Sequence, residues 1–316
     1  VTSTPEGDGG ADTLAPVSED GIRAAVPVVT VIVAGWNIAG YATEALESLR
    51  GQTRTDWRAI LVDDGSDDAT GAVFDGFASM DPRFTVIHHP DRLGLGAARN
   101  SGLELAGTPY VGFLDADDVM EPDALARLVG ALERSGSDIA VGAYRRLRPS
   151  GSGYAPSDVQ PWVAASTAPS RIGVTLAEHP EVVNNIVAWS KVSRAELWRE
   201  LRFPAGLYED QLIAQELYTR ARRIDTIAEP VVQWRVRADG SSITQGEGRI
   251  EVLRAVLAAM RAGLEVLRRS APEAAVLARA RTILAMDVPR LHAQASTPEY
   301  PRQLEAFRAE IAALAG

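Results

Sequence analysis

Between Val28 and Tyr144 the chain repeats one pattern, and that pattern limits the fold more than any other feature. A short apolar, β-branched run is followed by a stretch whose apolar residues recur at helical spacing, and the pair is then repeated. The runs are Val28–Val33, Ala59–Val62, Phe84–His88, Tyr110–Leu114 and Ile139–Tyr144. Runs without charge suit strands buried on both faces of a parallel sheet, which need helical crossovers between them. Tyr41–Arg50, Ala69–Ser79, Gly96–Leu105 and Pro122–Arg134 supply those crossovers, the last with a proline in its first turn. The expectation is an α/β chain wound about a mostly parallel sheet, with ligands at the carboxyl ends of its strands.

Two acidic clusters fall at those ends. Asp63-Asp64-Gly65-Ser66-Asp67-Asp68 follows the second run. A glycine among short polar residues makes a tight turn, and a carboxylate there can hold a nucleobase edge or a ribose hydroxyl; a solvated turn that merely ends a strand is the plainer reading. Asp115-Ala116-Asp117-Asp118 follows the fourth run. In extended backbone Asp115 and Asp117 project to one side and offer hard oxygen ligands to Mg²⁺ or Mn²⁺. A polar strand exit, or a cap for the helix near Pro122, would use the same residues.

Two further segments carry chemistry. In Leu93–Asn100 the small residues suit close packing, whereas Arg99 offers a forked donor to a carbonyl or phosphate. The third glycine of a dinucleotide fingerprint is missing there. Tyr208-Glu209-Asp210-Gln211 precedes a helix over Gln211–Arg222; its acids are either dipole-favoured or include a general base. His88, His89, His179 and His292 have no metal-ligand spacing and read as satisfied core or surface residues.

Composition narrows the classes. Among 316 residues 46% are hydrophobic and 23% charged, enough to bury a sizeable core. A net charge of -10 argues against nucleic acid as a partner. The absence of cysteine leaves no disulfide or thiolate site, and no apolar run is long enough to span a bilayer, so a soluble, cytoplasmic protein is expected, peripheral at the inner membrane face if its acceptor is held there. Residues 1–26, rich in Gly, Pro, Ser and acid, read as a disordered tail, and Pro149–Pro169 as a loop. From Gly246 onward the chain is Ala-, Leu- and Arg-rich in about three helices. Ile250, Leu253, Val256, Leu257, Met260 and Leu264 form one apolar face, to be buried on the main domain or a second copy, or, with Arg254, Arg261, Arg268 and Arg269, laid on a membrane.

The order of these segments resembles glycosyltransferase family 2. The resemblance runs through VTVIVAGWNIAGYATEALESL, GQTRTDWRAILVDDGSDDAT, LGLGAARNSGLELAGTPYVGFLDADD and YEDQL, and extends to AWSKVSRAELW, RFPAGLYED and QWRVRADGSSIT, similar to capsule- and teichoic-acid-type bacterial members. It implies a GT-A fold, a Rossmann-like nucleotide-diphospho-sugar domain over residues 27–245, with a helical appendage over 246–316 that could join copies of the chain. It further implies inverting transfer of a sugar from a nucleotide diphosphate, UDP being the family's common carrier, to a carbohydrate or other hydroxyl acceptor. Asp63 and Asp64 match the base- and ribose-binding carboxylates, and Arg99 a nucleotide-contacting arginine. Asp115 and Asp117 match the DxD motif, with Asp117 as the direct ligand of Mn²⁺ or Mg²⁺. Asp210, beside Glu209, matches the general base; Trp189 and Lys191 match an acceptor-side segment, and Arg235 a basic residue near the donor phosphates. Ala34-Gly35-Trp36-Asn37 departs from the usual Pro-Val-Tyr-Asn, which alters the wall beside the nucleotide. A nucleotidyltransferase would want a lysine-bearing glycine loop at that turn, and none is present; a non-catalytic nucleotide-sugar-binding module is the other alternative.

Overall fold

The computed structural model describes residues 26–238, 240 and 247–315. The expected tail at 1–26 therefore lies outside the described residues except for Val26, as do most of residues 239–246. The uncharged runs form strands β1 (Val29–Gly35), β2 (Trp57–Asp63), β3 (Phe84–His88), β4 (Tyr110–Asp115) and β6 (Ile139–Ser150). Helices α1 (Ala39–Arg50), α2 (Thr70–Met80), α3 (Leu95–Glu104) and α4 (Ala124–Ser135) connect them, and a two-residue strand β5 (Val119–Met120) precedes α4. Every residue of β1 is buried, as an uncharged central strand requires.

The sheet runs β3-β2-β1-β4-β9-β6-β10-β5, where β9 is Lys191–Arg194 and β10 is Ile224–Arg235. β1 is parallel to β2 and β4, β2 to β3, and β6 to β10, while β9 lies antiparallel between β4 and β6. This is the expected mostly parallel, mixed α/β sheet. Its register lines up the functional ends: Gly35 pairs with Asp63, Ala34 with Asp115, and Asp63 with His88. Both acidic clusters thus leave strands that flank β1 on the same edge.

Three expectations are corrected. Pro149–Pro169 is not a loop: β7 (Gly153–Val159) folds back antiparallel on β6, and α5 (Pro161–Thr167) opens on a proline. The β6 strand outlasts its apolar run because its polar half is paired by β7. Pro122 stands in a turn ahead of α4 instead of inside its first turn, so Asp115–Asp118 are separated from that helix by β5 and do not cap it. Helix α6 (Glu209–Arg220) starts two residues early and takes the acidic pair into its first turn.

β8 (Arg171–Val174) completes the pairing beside β10. Beyond it come α7 (Ile250–Ser270), α8 (Glu273–Thr282), a π-helical turn at Ile283–Asp287, α9 (Val288–His292) and α10 (Glu299–Ala315). The predicted apolar face of α7 is buried within the chain, in a second core with Leu291, Tyr300, Leu304, Phe307 and Ile311. Each such large side chain contributes about 1.5–3 kcal/mol of burial. The four arginines are ion-paired, Arg254 to Glu299, Arg261 to Glu310, Arg268 to Glu265 and Arg269 to Glu216. Helix α7 lies on α6 at Gly263, where a Cβ would sit 3.1 Å from the Gln211 carbonyl oxygen. Gly263→Val should therefore cost about 1–3 kcal/mol by overpacking, read as a lower midpoint in urea; an unchanged midpoint would mean that the helices can separate freely.

Candidate active site

The first acidic turn is pinned to its neighbours. Gly65 takes φ 68°, and a Cβ there would meet the Asp91–Arg92 backbone at 2.6 Å, so the turn tolerates little else. Asp64 is buried and accepts hydrogen bonds from the Leu93 (2.9 Å) and Gly94 (2.7 Å) amides, with His89 Nδ1 at 2.8 Å. Asp63 accepts from the Ser66 amide and lies 3.1 Å from His88 Nδ1. Hydrogen bonds to Asp75 and then Asp63 raise the His88 pKa. Asp64 therefore orders the 89–94 segment that leads into α3, while Asp63 ties the turn to the end of β3. Beside this turn Trp36 is 39% exposed, with the Arg92 guanidinium 3.6 Å above its ring.

The second acidic turn is held from β10. Arg235 is buried; its amide donates to Asp118 Oδ1 (2.7 Å), its Nε to the Asp117 carbonyl (2.6 Å), and its Nη2 to Glu44 (2.6 Å). Arg237 donates to Asp117 Oδ2 at 2.8 Å. Asp118 Oδ2 is buried and has no hydrogen-bond partner among the described residues. Burial, with Asp117 and Asp115 adding repulsion, raises the Asp118 pKa well above the ordinary range. Asp117 is raised too, by burial and by Asp115, against the pull of Arg237. Three crowded carboxylates, of which Asp118 is buried and Asp115 and Asp117 are half-buried, are a donor set that a divalent cation would relieve. Among the described residues no three acidic or imidazole side chains converge on one point. Two carboxylates completed by substrate phosphate oxygens remain a fitting set for Mg²⁺ or Mn²⁺.

Arg99 joins this turn to α6. Its Nη2 donates to Asp115 Oδ1 and its Nη1 to Glu209 Oε1, both at 2.6 Å, and the side chain is buried. Burial opposes its charge, but Asp115, Glu209 and Asp210 outweigh that and raise its pKa. The approach is possible because Gly96, one turn earlier on α3, lets the 203–209 segment pack close: a Cβ there would lie 2.5 Å from the Pro204 carbonyl oxygen. The small residues of Leu93–Asn100 thus serve packing, as the plainer reading held, while Arg99 does something else.

Asp210 stands in the first turn of α6, half-buried. Burial first, then the Glu209 charge, push its pKa up to about 7, against Arg99 and Lys191. Lys191, on β9, is pulled down to about 7 by burial, with the Asp210 charge acting the other way. Its Nζ donates to Asn185 Oδ1 (2.7 Å) and to the Val187 carbonyl. Trp189 packs edge-on against Tyr144 (4.8 Å) and beside Trp234 (6.4 Å), forming an aromatic wall on this side. The arrangement offers a base near neutrality beside a poised ammonium, and an acidic turn electrostatically linked to both.

Comparison with known proteins points to one family. Residues 30–178 match the model for glycosyl transferase family 2. That stretch resembles a family 2 glycosyltransferase domain. Over 213 residues it is 32% identical to glycosyltransferase GlyA of Streptococcus pneumoniae, covering 66% of this chain and 30% of that protein. It is 45% identical over 97 residues to the putative glycosyltransferase EpsH of Bacillus subtilis, 31% of this chain and 28% of that one. The chain thus spans about a third of the length of these curated relatives. Its fold is similar to that of S. aureus TarS 1-349, solved in complex with UDP-GlcNAc, with a TM-score of 0.60 and 20% identity over 91% of this chain and 89% of that one. The mannosyltransferase PcManGT of Pyrobaculum calidifontis, in complex with GDP-Man and Mn²⁺, aligns with a TM-score of 0.51 and 19% identity over 92% and 87%. The fold is GT-A-like.

Of the candidate residues, Asp63, Asp64, Arg99, Asp115 and Asp117 lie within the matched stretch, and Trp189, Lys191, Glu209, Asp210 and Arg235 lie beyond it. The structure joins Arg99, Asp115 and Glu209 by direct bonds, with Asp210 and Lys191 within electrostatic reach. Arg235 lies beneath the acidic turn. Arg237, at Asp117, was missed; its strand alternation with Arg235 was the available signal. His88 and His89 are satisfied residues, as their sequence setting suggests, and they brace the first turn, a role that only the β2–β3 register reveals. Arg99→Met should leave Glu209 buried and unpaired and destabilise the fold by about 3–5 kcal/mol, measured by urea unfolding at neutral pH. A change within error would remove Arg99 as the joint of the site.

Proposed function

We propose that the chain is a metal-dependent, inverting glycosyltransferase that moves a sugar from a nucleotide diphosphate, UDP in the first instance, to an acceptor hydroxyl of a carbohydrate or other glycoside in one displacement. The observation that carries this reading is the pair of bonds from Arg99 to Asp115 and Glu209, which links the DxD turn to the helix start bearing the candidate base. The nucleotide sugars bound by TarS and by the mannosyltransferase agree with a donor of this class. We further assign residues 27–245 to catalysis and 246–316 to a helical region. No helix among the described residues is long and apolar enough to cross a membrane. A cytoplasmic setting, or one peripheral to the inner face of a membrane carrying the acceptor, suits the reading.

In this mechanism Asp117 and Asp115 would hold Mn²⁺ or Mg²⁺ with the donor phosphates. Bound there, the cation would neutralise charge growing on the departing diphosphate. Asp63 and Asp64 hold the turn that meets the base and ribose, and Arg99 keeps Asp115 directed to the donor side. Asp210 accepts the proton of the acceptor hydroxyl as its oxygen attacks the anomeric carbon opposite the leaving group. Lys191 and Trp189 bound the acceptor side. A carboxylate of ordinary pKa would be a feeble base; one near 7 is matched to the task.

Two measurements test this. A base must be unprotonated, so turnover should fall about tenfold per pH unit below about 7 and level off above it, with Asp210→Asn losing about 10²–10⁴-fold at the plateau while still binding donor. Full activity in Asp210→Asn would refute the base. Separately, UDP with Mn²⁺ should raise the thermal midpoint more than either alone, and Asp117→Asn should abolish that synergy. Equal synergy in the variant would take the metal away from Asp117. Transfer from a panel of nucleotide sugars separates catalysis from mere binding.

A further inference from the structure

The residue before the acidic pair and the residue after it are both tied to the C-terminal helices. Tyr208 donates from its hydroxyl to Glu247 Oε1 at 3.0 Å, and its ring packs against the second core. Arg290 of α9 pairs with the other oxygen of Glu247 and reaches Asp287 at 3.3 Å. Asp287 lies 3.3 Å from Arg279 of α8, and Arg279 donates to Gln211 Oε1 at 3.0 Å. The contacts thus make a circuit, Tyr208–Glu247–Arg290–Asp287–Arg279–Gln211, whose two ends bracket Glu209 and Asp210. Glu247, Arg279 and Gln211 are buried. Buried charge joined this way holds one geometry, because losing any member leaves another unpaired.

Tyr208 is also strained. It takes φ 62° and ψ 34°, the left-handed region that a bulky side chain avoids. Such a conformation persists only where the surroundings over-determine it. Here the hydroxyl bond to Glu247 and the packed ring do so. Burial, with the Glu247 charge, raises the phenol pKa, so it remains a donor at neutral pH.

We propose that this circuit sets the position of the Asp210 carboxylate, with Tyr208 and Gln211 as positioning residues that let the helical region govern the catalytic base. The claim rests on the reading of Asp210 as base for its meaning, but its test does not need turnover. Charged and titratable groups around Asp210 are Glu209, Arg99, Asp115, Lys191 and Tyr144, none of which the variants below replace. With ¹³C-carboxyl-labelled aspartate in the full chain, the Asp210 resonance is assigned by its loss in Asp210→Asn and titrated. Its midpoint should lie near 7 in the parent and fall by a unit or more in Tyr208→Phe and in Gln211→Met as the carboxylate loosens into water. Arg254→Ala, which breaks an exposed pair on α7, should leave it in place. Both substitutions are near-isosteric, and UDP–Mn²⁺ stabilisation reports whether each variant is folded. An unmoved midpoint in both folded variants, or an ordinary carboxylate midpoint in the parent, overturns the proposal. If the midpoint moves while Asp210→Asn keeps full turnover, positioning stands and the base assignment alone falls.

Discussion

One guanidinium holds together parts of the chain that neither local structure nor the sheet would unite. Arg99 reaches Asp115 at the end of β4 and Glu209 at the start of α6, with Asp210 close enough to feel its charge. Burying a cation is costly unless it is paired and hydrogen-bonded. Here both branches of the fork are satisfied at 2.6 Å, and the fork geometry fixes two carboxylates relative to each other as a lysine could not. The close packing at Gly96 and the buried face of α3 make room for this contact.

Around that joint the acids are unequal, and their inequality divides the labour. Asp64 is saturated by two amides and a histidine and behaves as a structural anchor for the 89–94 segment. Asp118 is half-satisfied, and Asp117 is balanced by Arg237, so this turn stores repulsion that a cation and a diphosphate would release. Asp210 is pushed by burial up to about 7, and Lys191, within reach of its charge, is pulled down by burial to about 7.

The helical region does more than extend the chain. It has its own apolar core, it satisfies the face of α7 that sequence periodicity exposed, and it pairs the arginines that would otherwise suggest an anionic surface. Its contacts converge on α6 through Gly263, Gln211 and Tyr208. Stability of the appendage and geometry of the acid pair are therefore linked through the same few residues.

What the sequence determined by itself was the sheet and its chemical edge. Uncharged β-branched runs such as Val29–Val33 suit buried strands, and helical spacing between them calls for parallel crossovers, so Asp63 and Asp115 leave their strands at the same end of the sheet, on either side of β1. Polar strands carry no such signature: the outer half of β6 and all of β7 gain their pairing from each other, and the stretch from Pro149 onward reads as loop from sequence alone. Tertiary structure alone decided which carboxylates are saturated and which are not, because that depends on partners far along the chain, His88 and His89 for the first turn, Arg235 and Arg237 for the second, Arg99 for the third. It also decided the ties from Glu247 and Arg279 to residues 208 and 211. Periodicity reports which face of an element is apolar; it contains no information about which buried charge another buried charge will meet, since that is set by the packing of whole elements against one another.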